Sequence, residues 1–292
     1  YTYIDHCIET GMTIDEFAPR LSFFFNSHSD FFEEISKFRA ARKIWARLIR
    51  DKYNSKNPRS MKLRFHTQTA GFSLTAQQPE NNITRTSFQA MAAVLGGTQS
   101  LHTNSMDETL ALPSEKAAEI ALRTQQILAH ETGVTNVVDP LGGSWYLEDL
   151  TKKMEEKAIY YFDKIDSYGG VIDCIENGYL QKEIADSSSK YNDNVESKDR
   201  VIVGVNRYIK ENEKIEIPIL KISKKVEQKQ ISLLKNVKKN RNNKSVVLRL
   251  KKIENACKNN DNLVPLIVDA VLEYATLGEI VDTMKSVFGE WT

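Results

Sequence analysis

The 292-residue sequence predicts an α/β protein in which parallel strand–helix units come first and a mostly helical region follows. Three β-like runs, 20–25, 61–66 and 98–103, are each followed by a stretch with helical spacing. Three such units in succession indicate a parallel sheet. Each run also carries polar side chains on at least one face, where a filled barrel interior would be layered with Val, Ile and Leu. Past residue 136 the β-like runs thin out.

The elements follow in order. Tyr1 falls inside an amphipathic stretch, and the sequence does not begin with Met, so it is expected to be a piece of something longer. Thr13-Ile-Asp-Glu16 has the form of a capping box opening a short helix. RLSFFF (20–25) is the first strand. Ser29 or Asp30 can cap a long helix over 30–52 whose apolar face is Phe31, Phe32, Ile35, Phe38, Trp45, Leu48 and Ile49. Asn57-Pro58 ends it, and MKLRFH (61–66) is the second strand. A polar loop then leads into a helix over 83–95 through Phe88, Met91, Ala92 and Leu95, stopped by Gly96-Gly97. TQSLHT (98–103) is the third strand, and a helix runs from Pro113 to Gly133. Further helices are predicted from Trp145 to Phe162, from Val171 to about Lys190, and from about Leu263 to Phe288. Short β-like pieces lie at 201–205 and 215–220.

Composition narrows the class. With 41% hydrophobic and 27% charged residues the chain is too apolar for wholesale disorder. It holds no apolar run of about 18 residues, so no membrane-spanning helix is expected. Cys7, Cys174 and Cys257 form no CxxC pair, which argues against a disulfide framework or zinc ribbon and points to a reducing, cytoplasmic setting. Five scattered His residues give little support to a protein-built metal site. Charge is uneven: twelve Lys and Arg against Glu227 alone make residues 221–252 strongly basic. Without interleaved aromatics this segment is expected to be a solvated linker rather than a nucleic-acid site. No GxGxxG, Walker A, HExxH, GxSxG or EF-hand pattern is present.

Strand alternation sorts the polar side chains. Arg20, Ser22 and Phe24 share one face; Lys62, Arg64, His66 and Gln68 share another, opposite Leu63 and Phe65. In the third strand Ser100, His102 and Asn104 lie opposite Gln99, Leu101 and Thr103. Taken together, the three strands suggest a barrel lined for a ligand. The alternative for each residue singly is that Arg20 or Arg64 pairs with an acid at a rim, while backbone groups satisfy His66 and His102.

At these residues the sequence resembles the acyl-CoA mutase family, the large subunit of methylmalonyl-CoA mutase and its relatives. The strings that carry the likeness are FAPRLSFFF (17–25), RFHTQTAGFSLTAQQPENN (64–82) and GGTQSLHTNSMDETLALPSEKA (96–117). DPLGGSWYLEDLT (139–151), VGVNRY (203–208) and VPLIVDAVLEYATLGEIVDTMKSVFGEW (264–291) extend it, and only 221–262 is poorly matched. The resemblance implies the C-terminal portion of a TIM (β/α)8 barrel followed by a mostly helical region. It divides the chain into barrel strands and helices at 1–135, a helical extension at 136–220, a basic linker at 221–262 and a C-terminal helical segment at 263–292.

The activity implied is an adenosylcobalamin-dependent radical rearrangement of the carbon skeleton of an acyl-CoA, methylmalonyl-CoA to succinyl-CoA. An isobutyryl-CoA or 2-hydroxyisobutyryl-CoA mutase is the alternative, and a non-catalytic assembly partner of a cobalamin-binding subunit is the alternative from another class. By resemblance, Arg20 and Ser22 hold CoA phosphate, His66 and Gln68 reach the thioester and amide region as catalytic and substrate contacts, and Gln99 lines the cavity. Gly71, Glu108 and Ala111 face cobalamin or its adenosyl group. The departures matter too. Only three of eight strands are found, the family's acyl-group contacts mostly precede Tyr1, and no DxHxxG cobalt-ligating loop is present. The sequence is therefore expected to be a large-subunit fragment, inactive alone, working with a cobalamin-binding domain or separate small subunit, with a homologous large subunit as a further candidate partner.

Overall fold

The computed structural model describes residues 1–214 and 217–290. It forms two compact units, Tyr1–Leu220 and Lys221–Thr292. The first is α/β. Helix α1 (Thr2–Glu9) and the short α2 (Ile14–Phe17) lead into three parallel strands, β1 (Phe23–Ser27), β2 (Phe65–Thr69) and β3 (Ser100–His102). The strands pair in chain order, β1-β2-β3, and each connection is helical: α3 (Phe31–Asp51) joins the first pair, α4 (Asn81–Leu95) the second. The register aligns Phe24 with His66 and Ser100, and Asn26 with Gln68 and His102.

The strands begin later than the sequence predicts. Arg20 is not on a strand: Ala18–Arg20 is a 3-10 turn with Pro19 at its start, closed by the Leu21 N–H on the Ala18 carbonyl at 3.1 Å. Pro fixes φ for such a turn and cannot donate to a ladder. The second run is delayed in the same way, because Ser60 N–H bonds the Asn57 carbonyl at 3.0 Å after Pro58. Pairing starts where the Phe23 N–H reaches the Arg64 carbonyl at 2.8 Å. The grouping of side chains by face survives this shift, since moving a strand's start does not change the parity of its residues.

One face of the sheet is covered and the other is open. Phe23, Phe25, Phe65 and Leu101 pack against Phe38, Trp45 and Ile49 of α3 and Ala93 of α4, so both crossover helices lie on the same face. Phe24, on the opposite face, is 59% exposed. Asp30 caps α3 by accepting the Glu33 N–H, and the expected core positions Ile35, Phe38, Trp45 and Ile49 are buried. Phe32 is half-exposed.

Helix α4 forms where expected and buries Ala92, but its inward face needs a correction. Phe88 faces solvent, while Asn82, Thr86, Gln89, Ala90, Ala92 and Ala93 are buried. Asn82, Thr86, Gln89 and Ala93 follow i, i+4, i+7, i+11 spacing, so the inward stripe is largely polar. Helix α5 (Glu115–Glu131) opens on Ser114, whose hydroxyl accepts the Ala117 N–H at 3.3 Å.

The remainder of this unit is helical. Helix α6 (Trp145–Ser167) lies along α3, joined by Arg39–Glu148 at 2.7 Å and by Lys43 and Arg47 to Glu155 at 2.5 and 3.1 Å. The single helix predicted from Val171 is two, α7 (Val171–Glu176) and α8 (Tyr179–Glu196), because Gly178 adopts φ 78° between them. The piece at 201–205 is a turn with one bridge from Val203 to Arg207 rather than a strand. Of the piece expected at 215–220, residues 215 and 216 lie outside the described residues, and 217–220 have no regular structure.

The second unit is all helical: α9 (Lys224–Asn240), α10 (Asn243–Asn259), α11 (Val264–Leu272) and α12 (Leu277–Phe288). Its core is Ile253, Cys257, Ala270 and Ile280, so α10, within the stretch expected as a linker, shares an apolar core with α11 and α12. The Thr276/Glu279 capping box divides the predicted final helix in two. Glu279 also takes both terminal nitrogens of Arg241, at 2.7 and 2.5 Å. Among the described residues, no helix is long and apolar enough to cross a membrane.

Candidate functional site

The open face of the sheet carries the predicted residues in an order along the strands. Ser22 precedes β1 level with Arg64, and Arg20 lies in the turn before it. Both are exposed, and neither side chain makes a hydrogen bond or ion pair among the described residues. Among the described residues Arg64 pairs with no acid; its Nη2 donates to the Leu21 carbonyl at 2.7 Å and fixes the turn that presents Arg20.

His66 and Gln68 sit one and two rungs further along. A strand rises about 3.3 Å per residue, so Gln68 lies roughly 13 Å beyond the level of Ser22. Each is held by a partner on β3 or just beyond its end. His66 Nδ1 is 2.7 Å from Ser100 Oγ, and its ring lies against Phe24 at 5.2 Å between centroids. Gln68 Nε2 donates to Asn104 Oδ1 at 3.0 Å. Backbone groups satisfy neither His66 nor His102 within the described residues, and His102 is exposed. Gln99 is placed differently from a free cavity wall. Its Oε1 accepts the Phe65 N–H at 2.7 Å and its Nε2 donates to the Gly97 carbonyl at 2.9 Å, so its amide closes the start of the β2–β3 pair.

Beyond the C-terminal ends of the strands lie Gly71, Glu108 and Ala111. A Cβ on Gly71 would sit 3.1 Å from Asn104 Nδ2 and 3.4 Å from Glu108 Oε1, so the loops after β2 and β3 touch there. The Glu108 carboxylate is exposed and has no hydrogen-bond partner among the described residues. The turn that bears it is built on Asp107, which is fully buried. The Asp107 carbonyl accepts the N–H groups of Leu110 and Ala111, and its Oδ2 accepts that of Ser114 at 2.9 Å. Burial pushes the Asp107 carboxyl up, but the Ser114 N–H, with the Ser105 and Ser114 hydroxyls, outweighs it and holds the group below the usual carboxylate range.

The polar stripe of α4 supports the other loop. Gln89 Oε1 accepts the Ala70 N–H at 3.1 Å, its Nε2 donates to Ser29 and Ser73, and its carbonyl accepts Ser27 Oγ at 2.8 Å. One residue, through its side chain and its backbone carbonyl, thus ties the ends of β1 and β2 to the helix between β2 and β3. Asn82 accepts the Thr75 N–H and donates to the carbonyls of Thr75 and Met106, all within 3.0 Å, linking the two loops. Buried amides are costly unless fully paired, and these are paired. The sequence reading missed Asn82, Gln89 and Asp107. The available signal was their core-facing spacing, which a search for apolar periodicity passes over.

A protein-family model, methylmalonyl-CoA mutase, matches residues 1–290. Among curated relatives, the 2-hydroxyisobutanoyl-CoA mutase large subunit of Aquincola tertiaricarbonis is 44% identical over 99% of this chain and 52% of its own length. Human mitochondrial methylmalonyl-CoA mutase is 44% identical over 97% of the chain and 38% of its own length. The Rhizobium meliloti methylmalonyl-CoA mutase is 42% identical over 99% and 41%. The chain therefore spans about half, or less, of the relatives it matches.

Proposed function

The chain belongs to the methylmalonyl-CoA mutase family, and from that premise we propose that it forms the C-terminal part of the substrate barrel of an adenosylcobalamin-dependent acyl-CoA mutase. The three strands with both helices on one face would be the last of the barrel's eight, residues 136–220 its helical extension, and 221–262 with 263–292 the basic and C-terminal helical segments. The open polar face would then be the barrel interior.

A single observation supports this most: the candidate residues run in axial order along one sheet face. Arg20 and Ser22 stand before the strands, His66 and Gln68 in the middle, and Gly71, Glu108 and Ala111 past the C-terminal ends. That order suits a long acyl-CoA laid along the axis with its phosphates at one mouth and a flat cofactor at the other. Arg20 carries a permanent charge and a planar fork suited to phosphate, with the Ser22 hydroxyl close by. His66, held at Nδ1 by Ser100, keeps Nε2 for the substrate. The residues fit the cofactor's chemistry. Gly71 brings backbone close without a side chain, and the unpaired Glu108 carboxylate can accept bonds from hydroxyls. When bound, adenosylcobalamin supplies radical chemistry, and the protein's part is to orient the substrate and shield it.

We take methylmalonyl-CoA as substrate and succinyl-CoA as product, in the cytoplasm, together with a cobalamin-binding domain or small subunit and a second large subunit. The Aquincola relative's printed substrate keeps 2-hydroxyisobutyryl-CoA as the second candidate. The test is isomerisation by the full-length protein with its cobalamin-binding partner, each acyl-CoA supplied in turn. Arg20→Met should raise KM for the acyl-CoA about ten- to a hundredfold, the worth of roughly 1.5–3 kcal/mol for a charged hydrogen bond, with kcat little changed. Glu108→Gln should weaken adenosylcobalamin binding and spare the CoA ester. An unchanged KM with a lower melting temperature in Arg20→Met would assign Arg20 to structure and overturn the phosphate role.

A further inference from the structure

The bond between Gln68 and Asn104 carries information that the contact alone does not. Asn104 is buried, its N–H donates to Thr69 Oγ1 at 2.9 Å, and its Nδ2 donates to the Thr69 carbonyl at 2.9 Å. A carbonyl oxygen only accepts, so the end of the Asn104 amide facing Thr69 must be nitrogen. Its other end, Oδ1, therefore faces Gln68. Because that oxygen also only accepts, the Gln68 amide must turn its own nitrogen inward, and the distance of 3.0 Å fits. The Gln68 carbonyl oxygen is left on the open face, without a partner among the described residues.

We propose that Asn104 is a positioning residue that locks the Gln68 amide with its oxygen toward the ligand, so that this point of the site accepts a hydrogen bond from a ligand hydroxyl or amide N–H and disfavours a ligand carbonyl. An unsupported Gln amide can flip, presenting donor or acceptor at little cost. Here the flip would set two carbonyl-type oxygens against each other at Asn104 Oδ1, in a site where an unmatched buried group is expensive. The lock is continuous with the cofactor end, since a Cβ on Gly71 would meet Asn104 Nδ2 at 3.1 Å. The inference rests on the proposed function for which ligand is met, but the lock itself is a property of the free protein.

The experiment is therefore in two parts, on the full-length protein. In the free protein, NMR of the Gln68 side-chain amide should show one hydrogen-bonded, downfield N–H that collapses toward the free position in Asn104→Ser. Unchanged Gln68 resonances would overturn the lock whatever the ligand proves to be. In the liganded protein, binding of adenosylcobalamin and of methylmalonyl-CoA is measured for Gln68→Ala, Asn104→Ser and the double variant. For the ligand that meets Gln68, Gln68→Ala should weaken binding about tenfold with Asn104 present and less than about threefold in the Asn104→Ser background. An equal factor in both backgrounds, with only the melting temperature lowered by Asn104→Ser, would make Asn104 a strand tie and nothing more. Gln68→Glu offers acceptors alone: it should bind the ligand that meets residue 68 poorly opposite Asn104 Oδ1 and better once Asn104→Ser removes that facing oxygen. Absence of that recovery would refute the outward oxygen. If neither probe binds even the unmodified protein, the proposed function fails and the NMR result still decides the lock.

Discussion

The C-terminal ends of the strands and the C-terminal helical unit bury quite different things. Around the strand ends the inaccessible side chains include Thr69, Asn82, Gln89, Asn104 and Asp107. In the helical unit they include Ile253, Cys257, Ala270 and Ile280, with charge held in clamps such as Arg241 on Glu279. Apolar burial is non-directional and stabilises roughly in proportion to area. Paired amides contribute little net stability but define orientation, because each donor and acceptor accepts only one kind of neighbour. The contrast suggests that the helical unit is built to hold together, whereas the strand ends are built to hold two loops in one arrangement.

That comparison can be broken, and the largest expected effect lies in the helical unit. Ile253→Ala opens a cavity at a fully buried position and should cost about 2–5 kcal/mol. Hydrogen exchange should show protection falling across α10, α11 and α12 while β1–β3 stay protected. Loss confined to the strands would contradict an independent core.

Next comes Asn82→Leu, similar in size but apolar. It strands the Thr75 N–H and the carbonyls of Thr75 and Met106 without a partner and should cost about 1–3 kcal/mol. Its signature is disorder in the loops after β2 and β3, read as lost adenosylcobalamin affinity in excess of the drop in melting temperature. A variant that melts lower yet binds normally would place Asn82 with the ordinary core.

A third test uses pH. The Arg241 guanidinium, which bonds both carboxylate oxygens, and the bonds from Thr276 hold the Glu279 carboxyl far below the usual carboxylate range. A carboxyl whose pKa is depressed on folding lends stability that is fully present above its unfolded value, near 4.5. That stability is lost progressively as the pH falls below this value toward the folded pKa. Unfolding followed from pH 7 down to pH 3 should therefore show a loss that Glu279→Gln abolishes. For a paired charge the difference at neutral pH is about 1.5–3 kcal/mol. A variant with an identical acid profile would show that the clamp contributes nothing.

The smallest stability effect belongs to Gly71→Ala. Its Cβ would crowd Asn104 Nδ2 at 3.1 Å, which a small shift can relieve at about 1 kcal/mol. Because Asn104 holds Gln68, the same shift should weaken binding of the ligand that meets Gln68 several-fold. Unaltered binding would mean that the strand ends are more pliant than their bonding suggests.

How much of this was legible in advance varies by residue. Phe38, Trp45 and Ile49 announced the core face of α3 because apolar groups at helical spacing have few other uses. The faces of the three strands were legible for the same reason: alternation fixes the parity of His66, Gln68 and Ser100 wherever pairing begins. The start of each strand was not, since the turn at Pro19 competes locally with extension and only pairing to the neighbouring strand decides between them. Helix α4 misled because Phe88 scores as core and Asn82 and Gln89 as surface, while the structure places them the other way round.

The sequence by itself determined the three strand–helix units, the polar and apolar faces of the strands, and the family, all of which follow from short-range periodicity and from strings of residue identity. Tertiary structure alone decided that Asn104 binds Thr69 and Gln68, that Gln89 joins the ends of β1 and β2, and that Gln99 turns to the backbone. The physical reason is range. Periodicity acts over one or two helical turns, whereas a hydrogen bond between residues 36 apart exists only after both strands have been placed.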